Sequence, residues 1–539
     1  MAKDEINDKP FDLDVILKQL GPFGKYNIVN YALLLFPIYL AGMYSSIYVF
    51  EASDIDYRCE ITQCEVINES LWLEYAIPRD KNDLSKCKRY QFTGNYSQSN
   101  VTCTQKDFEV VVEQCDKYVY SDEDSAVKDF DLGCQNWKRT LIGTIHNSGL
   151  FVSLPLTGML SDRFGRKVAL PIASLMNGIF GITRSFSTNY YMMIAMEFLE
   201  ASLGAGAYST AFVLAMEIVG PKGRVFGNTL INVLYVFGSM TLAGLAWWLQ
   251  NWRKLLRILY FPALLVFSYL WILNESARWL LSKGRHEEAV EILKKASNMN
   301  KVHISDDSLS SLFKLGTEDP KSKEVANNEG KTESSFLQAL KSSIIRKRVA
   351  VCSFLWITCT FVYYGLSINS VSLAGNKYMN FMLVAFVEIP ANFVCLYVLE
   401  KFGRKRTLTS TYLLSACFCV SLSLIRKDQK WLSLVIYLSG KFSITVAYSS
   451  VYIYVSEVFP TNVRQSLLAV CSALGRVGST LAPLTPLLAL YYDNLPAIFF
   501  ASITVVASAL VFTLPETINV PLPDTIEEAE RQSKKEDNA

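Results

Sequence analysis

The stretch GMLSDRFGRK at residues 158–167 decides the fold, because a related copy, LEKFGRKR, follows at residues 399–406. Both copies lie between long apolar segments, and their charged side chains are too costly to place in hydrocarbon. We therefore interpret each copy as a tight charged turn between two membrane helices. Gly158 and Gly165 are expected to allow close packing and bending there.

A second pair of segments supports the repeat. MEIVGPKGR at residues 216–224 recurs as SEVFPTNVR at residues 456–464, at an offset of 240 residues. The offset of the first pair is 238 residues, so both pairs keep the same order and nearly the same spacing. Such self-similarity predicts a chain built from two related halves.

The composition is typical of a protein embedded in a membrane. Hydrophobic residues make up 51% of the 539 residues, the mean hydropathy is +0.21, and the apolar residues occur in long blocks. The net charge is only +2, so it gives no argument for a nucleic-acid partner, and we expect none. The expected surroundings are a lipid bilayer.

The apolar blocks predict an all-α membrane protein with twelve transmembrane helices in two six-helix halves. A hydrocarbon core about 30 Å thick requires roughly 20 helical residues. The segments of suitable length are 26–50, 140–160, 168–186, 190–216, 226–249, 258–274, 349–376, 378–399, 407–425, 431–456, 466–492 and 494–515.

The polar segments between these helices predict the domain plan. The polar start of the chain predicts no cleaved signal peptide. The expected parts are a cytosolic N-terminus (1–25), an N-terminal half (26–274) that contains an extracellular loop (51–138), a cytosolic linker with short helices (275–348), a C-terminal half (349–515) and a cytosolic tail (516–539).

The long loop carries the features that orient the chain. An even number of cysteines together with glycosylation sequons indicates an oxidising, extracellular environment. The cysteines are Cys59, Cys64, Cys87, Cys103, Cys115 and Cys134, and the sequons begin at Asn68, Asn95 and Asn100. Six cysteines allow 15 pairings, so the sequence leaves the disulfide connectivity open. We expect a plasma-membrane protein with both termini in the cytosol.

These features resemble a known superfamily and one family within it. Two six-helix halves, a long linker and the DRFGRK turn are similar to the major facilitator superfamily, whose halves rock about a site near the membrane midplane. The cysteine-rich loop, NESARWLLSKGR from Asn274 and YVSEVFPTNVRQS from Tyr454 resemble the organic cation, anion and zwitterion transporters, most of all the carnitine-type branch through GKFSITVAYSSVYIYVSEVFPTNVR from Gly440. One departure is Glu197, where the superfamily motif of the fourth span usually has Arg.

Ionisable residues inside the predicted spans are the strongest markers of a site, because each needs a partner, water or a substrate. Arg476, in CSALGRVGST, has small neighbours that leave room for a carboxylate to approach its guanidinium. By resemblance, anion and zwitterion carriers tend to have Arg at this position and cation carriers Asp. The alternative is that Arg476 only pairs with Glu388 or Glu197 to hold the halves together.

Polar and aromatic residues recur at helical spacing on several spans, and their common face predicts the wall of a cavity. The candidate substrate-binding residues are Arg476, Lys441, Tyr208, Asn232, Tyr235, Trp356, Tyr363, Tyr364, Glu388, Tyr448 and Tyr452.

Charged residues at the cytosolic helix ends form a second set. By resemblance they imply ion-pair networks that control opening, and we expect Asp162 to be stabilised by a nearby helix N-terminus. The candidate gating residues are Asp162, Arg163, Arg166, Glu217, Arg224, Glu275, Arg278, Glu400, Arg404, Glu457 and Arg464.

The sequence contains no phosphate-binding loop, nucleophile elbow or metal-ligand cluster, so we expect no enzyme activity, no cofactor and no metal. We expect a secondary transporter of small organic zwitterions or anions that works by alternating access. The alternatives are an organic cation transporter, in which Glu197, Glu200 and Glu388 serve the cation, and a receptor on the same scaffold that does not transport. The coupling ion, Na⁺ or H⁺, stays open.

Overall fold

The structure is a computed structural model that is mostly helical. It describes residues 13–21, 23–65, 72–80, 83–94, 103–304, 339–426, 429–461, 463–518, 523 and 526–537.

The first half and the segment that follows it contain fourteen described helices, several of them single turns. They are α1 (Leu13–Gln19), α2 (Lys25–Tyr44), α3 (Tyr48–Glu51), α4 (Leu73–Ala76), α5 (Ala126–Asp129), α6 (Asn136–Phe164), α7 (Arg166–Arg184), α8 (Tyr190–Gly204), α9 (Gly206–Ile218), α10 (Pro221–Leu249), α11 (Trp252–Leu265), α12 (Tyr269–Ile272), α13 (Ala277–Ser282) and α14 (His286–Asn300).

The second half repeats this arrangement and ends in a polar helix. Its described helices are α15 (Ser343–Asn369), α16 (Lys377–Phe386), α17 (Glu388–Phe402), α18 (Arg404–Leu424), α19 (Lys430–Val458), α20 (Arg464–Leu481), α21 (Thr485–Leu488), α22 (Leu495–Val511) and α23 (Ile526–Asp537).

The helices account for the predicted membrane-embedded fold. Among the described residues, nine helical segments are long and apolar enough to cross a membrane by length and composition alone. The other three predicted spans correspond to α6, α7 and α22. The α22 helix is apolar but has only 17 residues, whereas α6 carries a row of buried polar side chains, among them His146 and Asn147. The fold is therefore the all-α, twelve-span architecture that the sequence predicts.

Several predicted spans are interrupted where helices approach each other closely. The fourth span breaks at Ala205 between α8 and α9, where a Cβ on Gly204 would overlap Asn177 and one on Gly206 would overlap Thr157. The eighth span breaks at Val387 between α16 and α17. These breaks lie midway along the spans, where backbone groups freed from a helix must be satisfied by neighbouring protein.

The long loop forms a small disulfide-bonded unit at one end of the molecule, which we call the loop face. Three antiparallel strand pairs join β1 (Tyr57–Cys59) to β6 (Tyr118–Tyr120), β2 (Arg79–Asp80) to β3 (Asp83–Leu84), and β4 (Lys88–Phe92) to β5 (Phe108–Gln114). The disulfides, which the sequence left open, are Cys59–Cys115, Cys64–Cys103 and Cys87–Cys134.

The opposite end, which we call the linker face, carries the two copies of the charged turn. Gly165 separates α6 from α7 with φ of +94°, and Gly403 separates α17 from α18 with φ of +87°. Only glycine adopts this backbone conformation without strain. Gly158 differs from the expectation, because a Cβ on it would meet no atom of the described part of the chain within 4 Å.

The two halves touch mainly at the loop face. Lys377 Nζ lies 2.6 Å from Glu123 Oε2, the rings of Phe50 and Tyr378 stack with centroids 5.6 Å apart, and a Cβ on Gly143 would lie 2.9 Å from Pro483 Cβ. Loop, first half and second half therefore close together at this end.

The linker end of α6 is open by comparison. Along its last three turns the buried positions are Ser153, Thr157 and Ser161, one per turn, while Phe151 and Met159 are 51% and 66% exposed. These exposed side chains lie on the faces of α6 that its packed neighbours leave uncovered.

Candidate functional site

An aromatic cage lies between the halves at the level of the helix breaks. We use this name for Tyr208 and Tyr235 of the first half and Trp356, Tyr363, Tyr364, Tyr448 and Tyr452 of the second. The repeated helical spacing of these residues in the sequence places them on facing surfaces, so their rings meet.

The rings of the second half pack edge to face or stacked. The centroids of Trp356 and Tyr452 are 4.2 Å apart, those of Tyr363 and Tyr448 are 5.1 Å apart, and those of Tyr363 and Tyr364 are 5.2 Å apart. The two tyrosine pairs have separations typical of favourable aromatic pairs, and Trp356 packs still more closely on Tyr452. Trp356 is 1% exposed, and its indole Nε1 finds no hydrogen-bond partner among the described residues, so this part of the cage has an unused donor.

The first half closes the cage from the other side. The rings of Tyr208 and Tyr235 lie 5.5 Å apart, and Tyr208 is close enough to Tyr364, Tyr452 and Arg476 to interact with them electrostatically. Asn232 lies half-buried on α10, one turn before Tyr235.

Arg476 belongs to the cage. It projects from α20, is half-buried, and interacts electrostatically with Tyr235, Tyr364, Tyr448 and Tyr452. Within the described part of the chain, no carboxylate lies within 4.0 Å of its guanidinium. The two expected partners are engaged elsewhere, Glu388 with Lys441 and Glu197 with Arg184.

Lys441 and Glu388 form a buried ion pair at the border of the cage. Lys441 Nζ lies 2.9 Å from Glu388 Oε1, donates to Ser367 Oγ at 2.7 Å and to the Tyr363 carbonyl at 3.1 Å, and sits 3.3 Å from the centroid of the Tyr363 ring. Lys441 is fully buried. The ammonium donors of Lys441 are therefore occupied by protein groups. The sequence did not show this pairing.

A second group of charges lies inside the first half, near the loop face. We call it the buried charge cluster, and it contains Glu51, His146, Arg184, Glu197 and Glu200 from four different helices, each at most 2% exposed. The sequence analysis identified Glu197 and Glu200 but placed Glu51 in the loop and passed over the other two. Arg184 lies within an apolar span, and a charged residue at such a position was the sequence signal that could have identified it.

Arg184 holds this cluster together. Its Nη1 contacts Glu197 Oε2 and lies 3.8 Å from Glu200 Oε2, its Nε lies 3.3 Å from Glu51 Oε1, and its Nη2 donates to Tyr260 Oη at 3.3 Å. Glu197 occupies the position where the superfamily motif usually has Arg, and the compensating cation comes from α7.

The charged turns at the linker face form the same network in both halves. Arg166 lies 3.3 Å from Glu217 and 3.3 Å from Asp162, and Arg404 lies 2.9 Å from Glu457. Both pairs stay inside their own half. The offset of the sequence motifs therefore corresponds to a repeated ion pair.

A further carboxylate closes each turn. Glu275 accepts hydrogen bonds from the backbone N–H groups of Arg166 and Lys167 at 3.0 and 3.1 Å. Glu516 accepts from those of Arg404 and Lys405 at the same distances. The sequence analysis missed Glu516, although LNES around Glu275 and LPET around Glu516 show the repeat.

These carboxylates take the role that the sequence analysis expected of Asp162. Asp162 lies in the last turn of α6, with its side chain 74% exposed, so it is not at a helix N-terminus. Glu275 instead binds the first N–H groups of α7, where a negative charge is favourable. Burial raises the pKa of Glu275, and the N–H groups of Ser276, Lys167 and Arg166 partly oppose that rise.

The other candidate gating residues lie at the same face. Arg464 donates to the Phe459 carbonyl at 3.2 Å, Glu400 is exposed, and Arg224 and Arg278 also have contacts. Arg163 lines a cavity of about 580 Å³ together with Asp162 and Trp279. The sequons at Asn68, Asn95 and Asn100 lie outside the described residues.

Two six-helix halves that meet at one end, with an aromatic cage between them and matched charged turns, define a membrane transporter of the major facilitator class. Residues 88–529 match the family model described as "Sugar (and other) transporter". The chain belongs to this family, and within it to the organic cation/carnitine transporters, so it is a transporter and not an enzyme.

Two curated relatives illustrate this membership. The chain is 30% identical over 535 residues to "Organic cation transporter protein" of Drosophila melanogaster, covering 97% of this chain and 95% of that protein. It is 30% identical over 532 residues to "Organic cation/carnitine transporter 2" of Homo sapiens, covering 96% and 94%.

A solved structure shares the fold. The inward-open xylose transporter XylE from E. coli superposes with a TM-score of 0.60 at 15% identity, over 94% of this chain and 100% of that one.

Proposed function

We propose that the chain carries small organic ions with a carboxylate and a cationic or apolar body, with carnitine-like zwitterions as its substrates. The observation that carries this proposal is Arg476. It lies in an aromatic cage between the halves, and its ion-pairing capacity is not used by any carboxylate of the described chain.

The carboxylate end of the substrate would bind Arg476. A guanidinium presents a planar fork of donors that matches a carboxylate bidentately. A hydrogen bond to a charged group contributes about 1.5–3 kcal/mol, and a partly desolvated site strengthens the attraction further. Tyr364 is close enough to interact with the guanidinium and would flank the bound carboxylate.

The cationic end would face the aromatic rings. A quaternary ammonium over an aromatic face gains roughly 0.5–2 kcal/mol. Trp356, Tyr448 and Tyr452 pack within 6.0 Å of one another and offer several such faces. A zwitterion therefore has a complementary group for each of its charges.

An organic cation remains the second candidate, because relatives of this chain carry the name organic cation transporter. The carboxylates that the sequence analysis assigned to such a cation are engaged in the structure. Glu388 is paired with Lys441, and Glu197 with Arg184. A cation without a carboxylate would have to rely on the rings and would leave Arg476 without an anion.

We further propose the orientation and the working cycle. The disulfides of the loop suit an oxidising compartment, which would place the loop face outside the plasma membrane and both termini in the cytosol. The halves then meet at the outside, and we assign the structure to the state of alternating access in which the site opens to the cytosol. The matched turns around Arg166 and Arg404 would act as the cytosolic gate. A receptor that does not transport would not need a gate in both halves.

Cellular uptake tests the proposal. Cells that express the chain are given radiolabelled carnitine or tetraethylammonium, which has no carboxylate. We expect carnitine to be preferred, and Arg476→Gln to lower carnitine uptake at least about tenfold, the equivalent of about 1.4 kcal/mol. The matched control is Arg426→Ala, which removes an exposed arginine at the loop face.

Surface labelling of each variant separates a binding defect from a loss of protein. Carnitine uptake by Arg476→Gln at the wild-type rate and surface level would overturn the assignment of Arg476. Preference of the wild type for tetraethylammonium would favour the cation carrier. Binding without uptake of either would favour the receptor.

A further inference from the structure

The halves meet at the loop face through an ion pair and a stack of aromatic rings. Lys377 Nζ lies 2.6 Å from Glu123 Oε2. The ring of Tyr378 lies nearly parallel to two rings of the first half, with centroids 5.6 Å from Phe50 and 6.3 Å from Trp247. Each contact joins a residue of the second half to a residue of the first. Separation of the halves at this face therefore breaks all three contacts together.

Hydrogen bonds tie the carboxylate of this contact to one of the two rings. Ser125, two residues after Glu123, donates to the carbonyl of Ser53 at 3.0 Å, and its hydroxyl lies 3.4 Å from the carbonyl of Glu51. Glu51 directly follows Phe50 in the chain. The segment that carries Glu123 is thus fixed to the segment that carries Phe50.

The second ring is tied to the same segment. The side-chain amide of Asn251 donates to the carboxylate of Asp124, and Asn251 lies four residues after Trp247 at the end of α10. Phe50, Trp247 and the segment of Glu123 are therefore linked within the first half. They are expected to keep their arrangement when the second half moves away.

The residues that fill this arrangement belong to one helix start of the second half. Lys377 and Tyr378 are the first two residues of α16, and Asn376 caps that helix by accepting from the N–H groups of Tyr378 at 2.9 Å and Met379 at 3.2 Å. A positive side chain at a helix start is unfavourable, so Lys377 depends on Glu123. Lys377 Nζ also lies 5.4 Å from the centroid of the Tyr378 ring. An ammonium group here contacts a carboxylate and an aromatic ring together.

The same groups would suit the ammonium group of a solute. When Lys377 and Tyr378 withdraw, Glu123 loses its cation and the rings of Phe50 and Trp247 lose the ring that covers them. A carboxylate beside aromatic faces is the combination that attracts an organic ammonium ion. The side chain of Glu123 is 58% exposed and Trp247 is 42% exposed, so both are open to the solution at the loop face. Phe50 is 5% exposed and would be uncovered by the separation.

We propose that Glu123, Phe50 and Trp247 form a loop-face docking site for the cationic group of the substrate, which Lys377 and Tyr378 occupy while the halves meet at this face. An arriving ammonium ion competes with Lys377 for Glu123. Closure of the face returns Lys377 to Glu123 and displaces the substrate toward the aromatic cage. The proposal rests on the proposed function only in that the substrate carries a cationic group, which carnitine and tetraethylammonium share.

Uptake kinetics separate a docking site from a simple lock between the halves. In a lock, Glu123→Gln and Lys377→Met break the same ion pair, so both change the half-saturation concentration in the same direction. In a docking site they act oppositely. Glu123→Gln should raise the half-saturation concentration about two- to fivefold, the range of a solvent-screened ion pair, because the substrate loses its anion. Lys377→Met should lower it by a similar factor, because the competing cation is removed.

The measurement uses intact cells and whichever of radiolabelled carnitine and tetraethylammonium enters with the wild type. Asp122→Asn is the matched control, because it removes an exposed carboxylate next to Glu123 in the chain and should leave the half-saturation concentration nearly unchanged. Surface labelling corrects each rate for the amount of protein. Changes in the same direction for Glu123→Gln and Lys377→Met, or no change in either, would overturn the docking site.

A thiol reaction tests the site without any transport. Lys377→Cys in intact cells is treated with two membrane-impermeant methanethiosulfonates, one carrying a trimethylammonium group and the other a sulfonate. The six cysteines of the loop are in disulfides and do not react. The ratio of the cationic to the anionic rate should fall about two- to fivefold when Glu123→Gln is added. It should also fall when Trp247→Leu is added, which removes a ring and leaves the charge unchanged.

The two assays keep this proposal apart from the role of Arg476. A rate ratio that is the same with and without Glu123→Gln, or that ignores Trp247→Leu, would contradict the docking site even if carnitine is the substrate. If Lys377→Cys does not reach the surface, Tyr378→Cys takes its place with the same expected ratios. Loss of carnitine preference in the uptake assay would overturn the substrate assignment and leave these ratios unaffected.

Discussion

Replacement of Glu388 by Gln should destabilise the protein strongly, because it leaves Lys441 buried without its counterion. Lys441 Nζ is 2.9 Å from Glu388 and fully buried. The remaining partners, Ser367, the Tyr363 carbonyl and the Tyr363 ring, are neutral. They cannot compensate a positive charge in a low-dielectric interior.

The expected magnitude follows from the burial of the pair. Removing one partner of a buried salt bridge costs about 3–5 kcal/mol, whereas replacing both with groups of similar volume is often close to neutral. Glu388→Gln is therefore expected to cost about 3–5 kcal/mol of unfolding free energy. Lys441→Met should cost less, because Glu388 is 9% exposed and has access to water. The double variant should lie near the wild type.

A double-mutant cycle measures this directly. Each of the four proteins is unfolded reversibly in mixed micelles by increasing the detergent fraction, and the coupling energy is read from the four free energies. Because the double variant should lie near the wild type, the coupling equals the sum of the two single costs and should be at least about 3–5 kcal/mol, at or above the usual upper limit for contacting residues. A cost below about 1 kcal/mol for Glu388→Gln, or simple additivity in the double variant, would refute the description of this pair as a buried structural unit.

Further predictions concern the turns and the loop. Gly165→Ala should cost about 1–3 kcal/mol of strain, because the backbone φ there is +94°, and should lower the melting temperature. Gly158→Ala is the control, since the space around Gly158 is open in the described structure. Equal melting temperatures of the two variants would contradict the prediction. Glu516→Gln and Glu275→Gln should slow uptake equally while carnitine still binds, because each carboxylate accepts hydrogen bonds from two backbone N–H groups at a helix start. Slower uptake in only one of these variants would contradict a shared role. The three sequon residues are Asn68, Asn95 and Asn100. The mobility shift on glycosidase treatment should vanish when all three are replaced by Gln, and a shift that persists would show a glycan at another site.

The fold was predictable because it rests on signals that are local and repeated. Apolar length marks the spans, and the copies of the charged turn mark the halves. The ion pairs of Arg166 with Glu217 and of Arg404 with Glu457 follow from residues that recur at nearly constant offset. The interruption at Ala205 was not predictable in the same way, because it depends on which neighbouring helix approaches Gly204 and Gly206.

The site was only partly predictable because its character depends on pairing between helices. The sequence showed that Arg476, Glu388 and Lys441 lie within spans, but not that Lys441 takes Glu388 and leaves Arg476 in the cage. Arg184 reaches residues from three other helices, and helical spacing within one span carries no information about such contacts. The disulfide pairing was open for the same reason.

The most direct test of the central claim is equilibrium binding of carnitine and of its methyl ester to the purified chain. The two ligands differ in the negative charge that Arg476 is proposed to bind. One lost charge-assisted interaction of about 1.5–3 kcal/mol predicts that the ester binds roughly 10- to 150-fold more weakly to the wild type, and that the two affinities become similar in Arg476→Gln. Equal affinities in the wild type would contradict the account of Arg476 as the carboxylate-binding residue.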